Sequence, residues 1–374
     1  MKILELKDIS MDFIAKSQLL EGEKYYHVLR DINLDIHQGE IVVIVGESGC
    51  GKTTIGKIIT GLLKPTKGEM LFLGRNIYKG SIFSKKKFDV SEFSDLHVKL
   101  NPREHKAYLK AKIKEKRTEI SERISDFENS VQFVQQDSYA SLNPARTIYQ
   151  SLYAPIKNKN RKWNRLTIDN KINDLMALVG LLPAEQFLSK YPHQLSGGQR
   201  QRILLARAIS LDPKLVVADE PVSMIDVSLR LSILDLMKRL NEKLNLSFVY
   251  ITHDLSTARY IGYKGRICVM YLGEIMELGS VVDVISSPQH PYTQALLSSV
   301  PVPDPVVSRK PKPELIKSMD MGDLMVRTIG CPFYPRCPYA KRDCAEDRVP
   351  FVSRENALVR CKQLDEVPSW NEIS

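Results

Sequence analysis

No stretch of this 374-residue sequence approaches the roughly 20 consecutive apolar residues that a membrane-spanning helix requires. The longest apolar runs, such as Ile41 to Val45, are strand-sized, so the chain does not cross a bilayer by itself. The first residues, Met1-Lys2-Ile3-Leu4-Glu5-Leu6, lack the apolar stretch and cleavage site of a secretory signal and alternate like a strand, which predicts a cytoplasmic protein. Internal repeats are absent, and two equal domains are therefore less expected than one large domain with a small appendage. The cysteines lack the paired C-x-x-C spacing of common zinc ribbons.

What is present is ordinary in bulk: 43% hydrophobic and 26% charged residues, the composition of a folded soluble protein. The formal charge of +10 invites a nucleic-acid reading, because clustered Lys and Arg release counterions from phosphate backbones. Part of that excess sits in residues 79–128, and no recognisable nucleic-acid module accompanies it. Anionic lipid, an acidic partner or a merely solvated face fit the charge equally well.

Along the chain, strands are predicted over Val28 to Ile36, Glu40 to Val45 and Gly68 to Leu73, with a helix from Lys52 to Leu63. In the charged segment 79–128, Leu109, Ile113, Ile120, Ile124 and Phe127 fall at helical spacings interrupted by Lys116, which predicts a long amphipathic helix. From Val131 to about Leu278, β-rich runs (Lys214 to Ala218, Leu246 to Ile251, Ile267 to Tyr271) alternate with helical patterns. That alternation implies an α/β fold with a parallel sheet covered on both faces. Proline-rich sequence from Pro301 to Pro313 marks a linker before a cysteine-bearing tail.

Gly46-Glu47-Ser48-Gly49-Cys50-Gly51-Lys52-Thr53-Thr54 is a phosphate-loop pattern lying between a predicted strand and a predicted helix, the context that confirms it. Its glycines let backbone N–H groups wrap phosphates and the helix N-terminus adds positive dipole. Lys52 reaches the β and γ oxygens of ATP, and the Thr53 hydroxyl ligates Mg²⁺. The apolar run Lys214 to Ala218 ends in Asp219-Glu220-Pro221, two carboxylates at the end of a strand, where open α/β sheets bind ligands. Asp219 is expected to hold Mg²⁺, leaving Glu220 free as a general base for the attacking water. Leu195-Ser196-Gly197-Gly198-Gln199, just ahead of a helix, is a candidate anion site.

These motifs together resemble the ATP-binding subunits of ABC transporters, for which LSGGQ is the signature, over nearly the whole chain except residues 79–128. The resemblance implies a P-loop ABC-type nucleotide-binding domain with a parallel core sheet, an antiparallel β subdomain and a helical subdomain. Gln136, in Val134-Gln135-Gln136-Asp137, is similar to the glutamine that touches Mg²⁺ and the attacking water. Here Gln135 departs from the usual Phe, and the register rests on Asp137 and Ser141-Leu142-Asn143-Pro144. Asp226, in Ser223-Met224-Ile225-Asp226, is similar to the D-loop aspartate, with Met224-Ile225 where the family more often has Ala-Leu. His253, in Ile251-Thr252-His253-Asp254, is similar to the switch histidine at the γ-phosphate. Phe13 fits the adenine-stacking position, with Tyr25 and Tyr26 as rivals. In the family, Ser196, Gly197, Gly198 and Gln199 close over ATP held by the other subunit, so a head-to-tail ATP-sandwich dimer is implied.

The stretch His290-Pro291-Tyr292-Thr293-Gln294-Ala295-Leu296-Leu297, with Gly330-Cys331-Pro332-Phe333-Tyr334-Pro335-Arg336-Cys337-Pro338, resembles the C-terminal extension of oligopeptide and dipeptide importer ATPases. It implies an ATPase domain over residues 1–285, with 79–128 as a charged helical insertion, and a small extension over 286–374. Implied too are import of peptides or related solutes, two permease subunits, an extracytoplasmic binding protein and a second ATPase that is usually a paralogue, with no nucleic acid. The chain is then peripheral on the cytoplasmic side of the cell membrane. Cys331, Cys337, Cys344 and Cys361 hold a [4Fe-4S] cluster in some members, and zinc or free thiols remain alternatives here. A soluble ABC ATPase acting on ribosomes or nucleic acid is the competing function, favoured by the basic charge. Such proteins carry two cassettes or a long coiled-coil insertion, and this chain has neither.

Overall fold

The computed structural model describes residues 1–15, 24–78, 114–115, 118, 121–300, 315–318 and 329–370. Its organising element is β3 (Ile41–Val45), five Ile and Val residues that are buried throughout. Side chains along a strand alternate between faces, so Ile41, Val43 and Val45 enter one hydrophobic core while Val42 and Ile44 enter another. Each such side chain contributes about 1.5–3 kcal/mol by leaving water, which is why a run with no polar residue settles in mid-sheet.

β3 pairs in parallel with β8 (Ser247–Thr252) on one side and β9 (Arg266–Tyr271) on the other. Parallel pairing continues outward from β8 to β7 (Leu215–Asp219) and β6 (Val131–Val134). Beyond β9 the sheet turns antiparallel through β10 (Glu274–Ser280), β12 (Ala357–Val359) and β11 (Val352–Arg354), making eight strands in all. A second, four-stranded antiparallel sheet joins β2 (Lys24–His37), β1 (Lys2–Ala15), β4 (Lys67–Phe72) and β5 (Arg75–Asn76) in that order. Its inner face, with Ile3, Leu4, Leu6, Ile32 and Ile36, packs over α1 (Lys52–Ile59) and the Val42/Ile44 face of β3.

The opposite core receives the helices. α2 (Ile148–Lys159) begins with a capping box in which Thr147 and Gln150 satisfy each other's backbone N–H groups. α3 (Arg165–Leu178) is capped by Asn164, and α4 (Glu185–Leu188) is a single turn. α5 (Gly197–Ile209) packs on both α2 and α3. α6 (Val227–Leu244) buries Ile233, Leu234, Met237 and Leu240 at helical spacing, and α7 (Leu255–Gly262) lies against β3.

Sequence and structure differ at several boundaries. The helix predicted to run to Leu63 stops at Ile59, because Gly61 takes φ +73° and the Thr60 hydroxyl donates back to the Gly56 carbonyl at 3.0 Å. Of the expected amphipathic helix, residues 121–130 are helical and Phe127 is buried, edge-on to Phe72 with ring centroids 5.2 Å apart. Leu109, Ile113, Lys116 and Ile120 lie outside the described residues, as does the Pro301 to Pro313 linker. The chain after Ser280 forms α8 (Val281–Ser286), α9 (Pro291–Ser298) and the one-turn α10 (Asp343–Glu346). Phe333, Cys337, Ala357, Val359 and Leu364 of this last region share the main core, so the tail is packed into the eight-stranded sheet through β12. Buried Glu274 adds a polar tie, with Arg30 at 3.2 Å on one side and Arg360 at 2.7 Å on the other.

Candidate active site

The phosphate-loop residues connect β3 to α1. Gly51 occupies the N-cap at φ +99°, and a Cβ there would fall 2.8 Å from the Val28 carbonyl oxygen and from Leu29 Cδ2. At Gly46 a Cβ would meet the Met270 carbonyl oxygen at 2.2 Å. Both glycines are therefore demanded by close backbone approach. The Lys52 ammonium, buried, donates to the carbonyls of Gly46 at 2.8 Å and Glu47 at 2.9 Å. Ser48, Gly49 and Thr53 are exposed, Thr54 is half-buried, and Cys50 is buried with its N–H on the Glu47 carbonyl at 3.3 Å. The mouth of the loop thus combines exposed amides, a helix N-terminus and one ammonium, the groups that bind a polyphosphate.

β6, β7 and β8, running parallel, deliver Gln136, Asp219 with Glu220, and His253 to one edge of the sheet. Asp219 is buried; burial pushes its carboxyl above the ordinary value, against a hydrogen bond from Thr53 and the charge of Lys52, which lower it. That environment, one carboxylate and one hydroxyl beside the loop, suits a divalent cation that would supply the missing positive charge. Glu220 has φ +45°, an uncommon backbone for a non-glycine residue that costs on the order of 1–3 kcal/mol. Its N–H donates to the Ile251 carbonyl at 2.9 Å, which holds the turn. One carboxylate oxygen accepts from Gln136 Nε2 at 3.0 Å and the other meets His253 Nδ1 at 2.8 Å. A carboxylate fixed on both oxygens beside the loop can take a proton from water.

Other predicted residues are placed elsewhere. Ser196 and Gln199 form a reciprocal capping box at 3.3 and 3.0 Å that opens α5. A Cβ at Gly197 would lie 3.8 Å from the Met224 carbonyl oxygen, so the signature stands beside the segment that ends in Asp226, the N-cap residue of α6. Met224 and Val227 there are 62% and 74% exposed, an apolar edge left open on the single chain. Phe13 is exposed and sits directly opposite Tyr26 in the β1–β2 ladder, with Tyr25 opposite Ile14. The rival aromatics are cross-strand neighbours at one end of the same hairpin.

The structure also brings in residues to which the sequence assigned no role. Arg336 Nη1 donates to both Glu47 carboxylate oxygens, at 3.1 and 2.9 Å, and the Tyr292 hydroxyl accepts the Glu47 N–H at 3.0 Å. Arg200 of α5 stacks on Tyr139 with its guanidinium 3.6 Å from the ring centroid, and Arg207 donates to the Ser141 carbonyl at 2.9 Å. These two arginines bind the chain after Gln136 to the signature helix. Arg336 and Tyr292 both lie within the motifs quoted for the tail, but no spacing rule connects them with a loop 289 and 245 positions away.

Cys331, Cys337, Cys344 and Cys361 line one small closed cavity of about 20 Å³, together with His290 and Phe333. The Cys331 N–H donates to the Cys344 carbonyl at 2.7 Å, closing the turn. Burial pushes three of the thiols up, Cys331 to about 12 and Cys337 and Cys361 to about 11. Among the described residues no three such side chains stand close enough together to hold a metal ion.

Residues 29–223 match the family model described as ABC transporter, and residues 276–344 match that of the oligopeptide/dipeptide transporter C-terminal region. The chain is 35% identical over 361 residues to the oligopeptide transport ATP-binding protein OppF of Haemophilus influenzae, across 96% of this chain and 94% of that one. It is 37% identical over 345 residues to the oligopeptide transport ATP-binding protein AppF of Bacillus subtilis, across 92% of each. Among solved structures, the dimeric ATP-binding cassette MJ0796 in a post-hydrolysis state with ADP and Pi superposes with a TM-score of 0.55 at 26% identity, covering 75% of this chain and 99% of that one.

Proposed function

The chain belongs to the ABC transporter family, as an ATP-binding subunit of the oligopeptide/dipeptide importer type, and on that footing we propose that it hydrolyses ATP to drive peptide uptake. The observation that carries this reading is Glu220, held between Gln136 and His253 one residue beyond Asp219 and beside the phosphate loop.

In this reading the loop from Gly46 to Thr54 and the Lys52 ammonium bind the phosphates of ATP, and Phe13 stacks on adenine. Thr53, Asp219 and Gln136 would hold Mg²⁺, which screens phosphate charge when bound. Glu220 accepts the proton of the attacking water, and His253 orients Glu220 and faces the γ-phosphate. Ser196, Gly197, Gly198 and Gln199 close over ATP on a second subunit, with Asp226 at the shared edge; the exposed Met224 and Val227 support such a partner. Residues 1–285 act as the ATPase domain and 286–374 as the extension. The assembly includes two permease subunits, a solute-binding protein outside and a second ATPase, with this chain peripheral on the cytoplasmic face. No helix among the described residues is long and apolar enough to cross a membrane.

The test is purification from the membrane fraction with identification of co-purifying subunits, and ATPase assay of the complex with and without Glu220→Gln. A peptide-type permease with activity abolished by the substitution supports importer function; recovery with ribosomes or DNA overturns it.

We also propose that the four tail cysteines bind a [4Fe-4S] cluster. The donor chemistry is that of such a cluster, four thiols on one cavity with no carboxylate among its lining residues, while as placed no three of them stand close enough together to hold a metal ion. The cavity has room for about one water-sized sphere, so the turns at Cys331 and Cys344 would have to spread to admit the cluster. Anaerobic purification followed by iron and zinc analysis and visible absorption decides it: about four irons per chain supports the proposal, whereas zinc or bare thiols removes it.

A further inference from the structure

We propose that Arg336 and Tyr292, both from the C-terminal extension, are positioning residues for ATP: they neutralise and orient Glu47 so that the phosphate loop accepts a polyanion. The inference rests on the nucleotide-site reading of that loop. Glu47 places a carboxylate inside a segment whose chemistry is anion binding, and an uncompensated negative charge there opposes phosphate. Arg336 meets that charge with one nitrogen against both carboxylate oxygens, its side chain only 6% exposed while that of Glu47 is 26% exposed.

The arginine is itself fixed. Nη1 lies 3.2 Å from the Tyr271 hydroxyl, and Nε donates to the Ser318 carbonyl at 3.3 Å. The guanidinium lies 5.6 Å from the ring centroid of Tyr271 and 5.8 Å from that of Phe333. Tyr271, Tyr292 and Phe333 pack on one another with centroids 4.7 to 5.4 Å apart, a rigid aromatic wall behind the loop. Tyr292 takes the Glu47 N–H, Arg336 the carboxylate, and Lys52 the carbonyl at 2.9 Å. With all three groups of Glu47 engaged, the peptide cannot rotate without breaking a bond, and the position of the Lys52 ammonium is set through it. A tie that only fastened the tail to the core would need none of this charge matching at the anion site.

The two roles separate by sign. In the purified full chain, MgATP affinity is measured by calorimetry for wild type, R336Q, R336Q with E47Q, and Y292F, with thermal unfolding recorded for each. R336Q is expected to weaken MgATP binding roughly tenfold, the size of a partly screened charge effect. Adding E47Q to R336Q is expected to restore most of that loss, because the stranded carboxylate is gone, although no contact between tail and loop has been regained. Y292F is expected to weaken binding about threefold by leaving the Glu47 N–H without its partner. Wild-type affinity in R336Q, or a double variant no better than R336Q, overturns the proposal and leaves a structural tie. If R336Q does not fold, Y292F with unchanged affinity overturns it as well. A wild-type chain that binds no MgATP would refute the nucleotide-site reading itself, a result distinct from either.

Discussion

At the candidate nucleotide site Gln136, Asp219, Glu220 and His253 sit on or just past parallel strands, within short motifs whose residues are neighbours in sequence. The four-cysteine cavity is assembled from loops, α10 and the chain just past β12, and burial pushes the thiols of Cys331, Cys337 and Cys361 toward the protonated form. The first arrangement gathers its side chains at a sheet edge, Asp219 and Lys52 buried and His253 exposed, with Glu220 bonded to His253 and Asp219 beside Thr53 and Lys52. The second lies against the core that the tail shares with the ATPase, with Cys337 inside it and Cys331 and Cys361 half-buried beside it. A site that binds and releases substrate needs access, whereas one that staples a loop-rich tail gains from exclusion of water.

The largest effect that would sharpen this contrast is at Glu220. Replacing it by Gln keeps the shape and removes the base, so steady-state ATP hydrolysis should fall about 10²- to 10⁴-fold while MgATP binding persists. Phosphate-release kinetics on the intact complex provide the check; a fall below tenfold would mean the carboxylate is not the base.

Next is Phe333→Ala, which empties a fully buried position between the aromatic wall and the cysteine cavity. The expected cost is about 3–5 kcal/mol, seen as a lower denaturation midpoint. If the tail instead melted in a separate earlier transition, it would be an independent unit and the contrast between open site and shared core would fail.

Glu277 gives a smaller, pH-dependent effect. Burial pushes its carboxyl from 4.5 up to about 7, against hydrogen bonds from Thr293 and the Gln289 and His290 N–H groups. The folded carboxyl therefore holds its proton to higher pH than the unfolded one, and stability should decline as pH climbs between those two values, then level off. Glu277→Gln should remove a slope of roughly 1–3 kcal/mol, read from unfolding midpoints between about pH 5 and 8. The smallest effect serves as a control: Thr147→Ala loses a helix cap worth about 1 kcal/mol and should leave MgATP affinity unchanged.

Much of the nucleotide site was legible because its logic is local. A glycine-rich loop between an apolar run and a helix, two carboxylates ending a strand and Ser-Gly-Gly opening a helix each carry their chemistry in a few consecutive residues. That Gln136, Glu220 and His253 would meet followed from the common direction of parallel strands once the motifs were assigned. The bonds of Glu220 to both neighbours, and its positive φ, were not readable. The helix end at Ile59 was missed because Leu62 and Leu63 extend the apolar pattern beyond the glycine that stops it.

By itself, then, the sequence determined the α/β class, the phosphate loop, the order of the catalytic motifs and the four cysteines, since each depends on local backbone demands or on strand and helix periodicity. Only the tertiary structure decided that β12 and β11 extend the main sheet, that the four thiols share one cavity, and that Arg336 and Tyr292 close on Glu47. Contacts across nearly 300 residues are set by how two cores pack against one sheet, and no local pattern encodes which distant side chain will arrive.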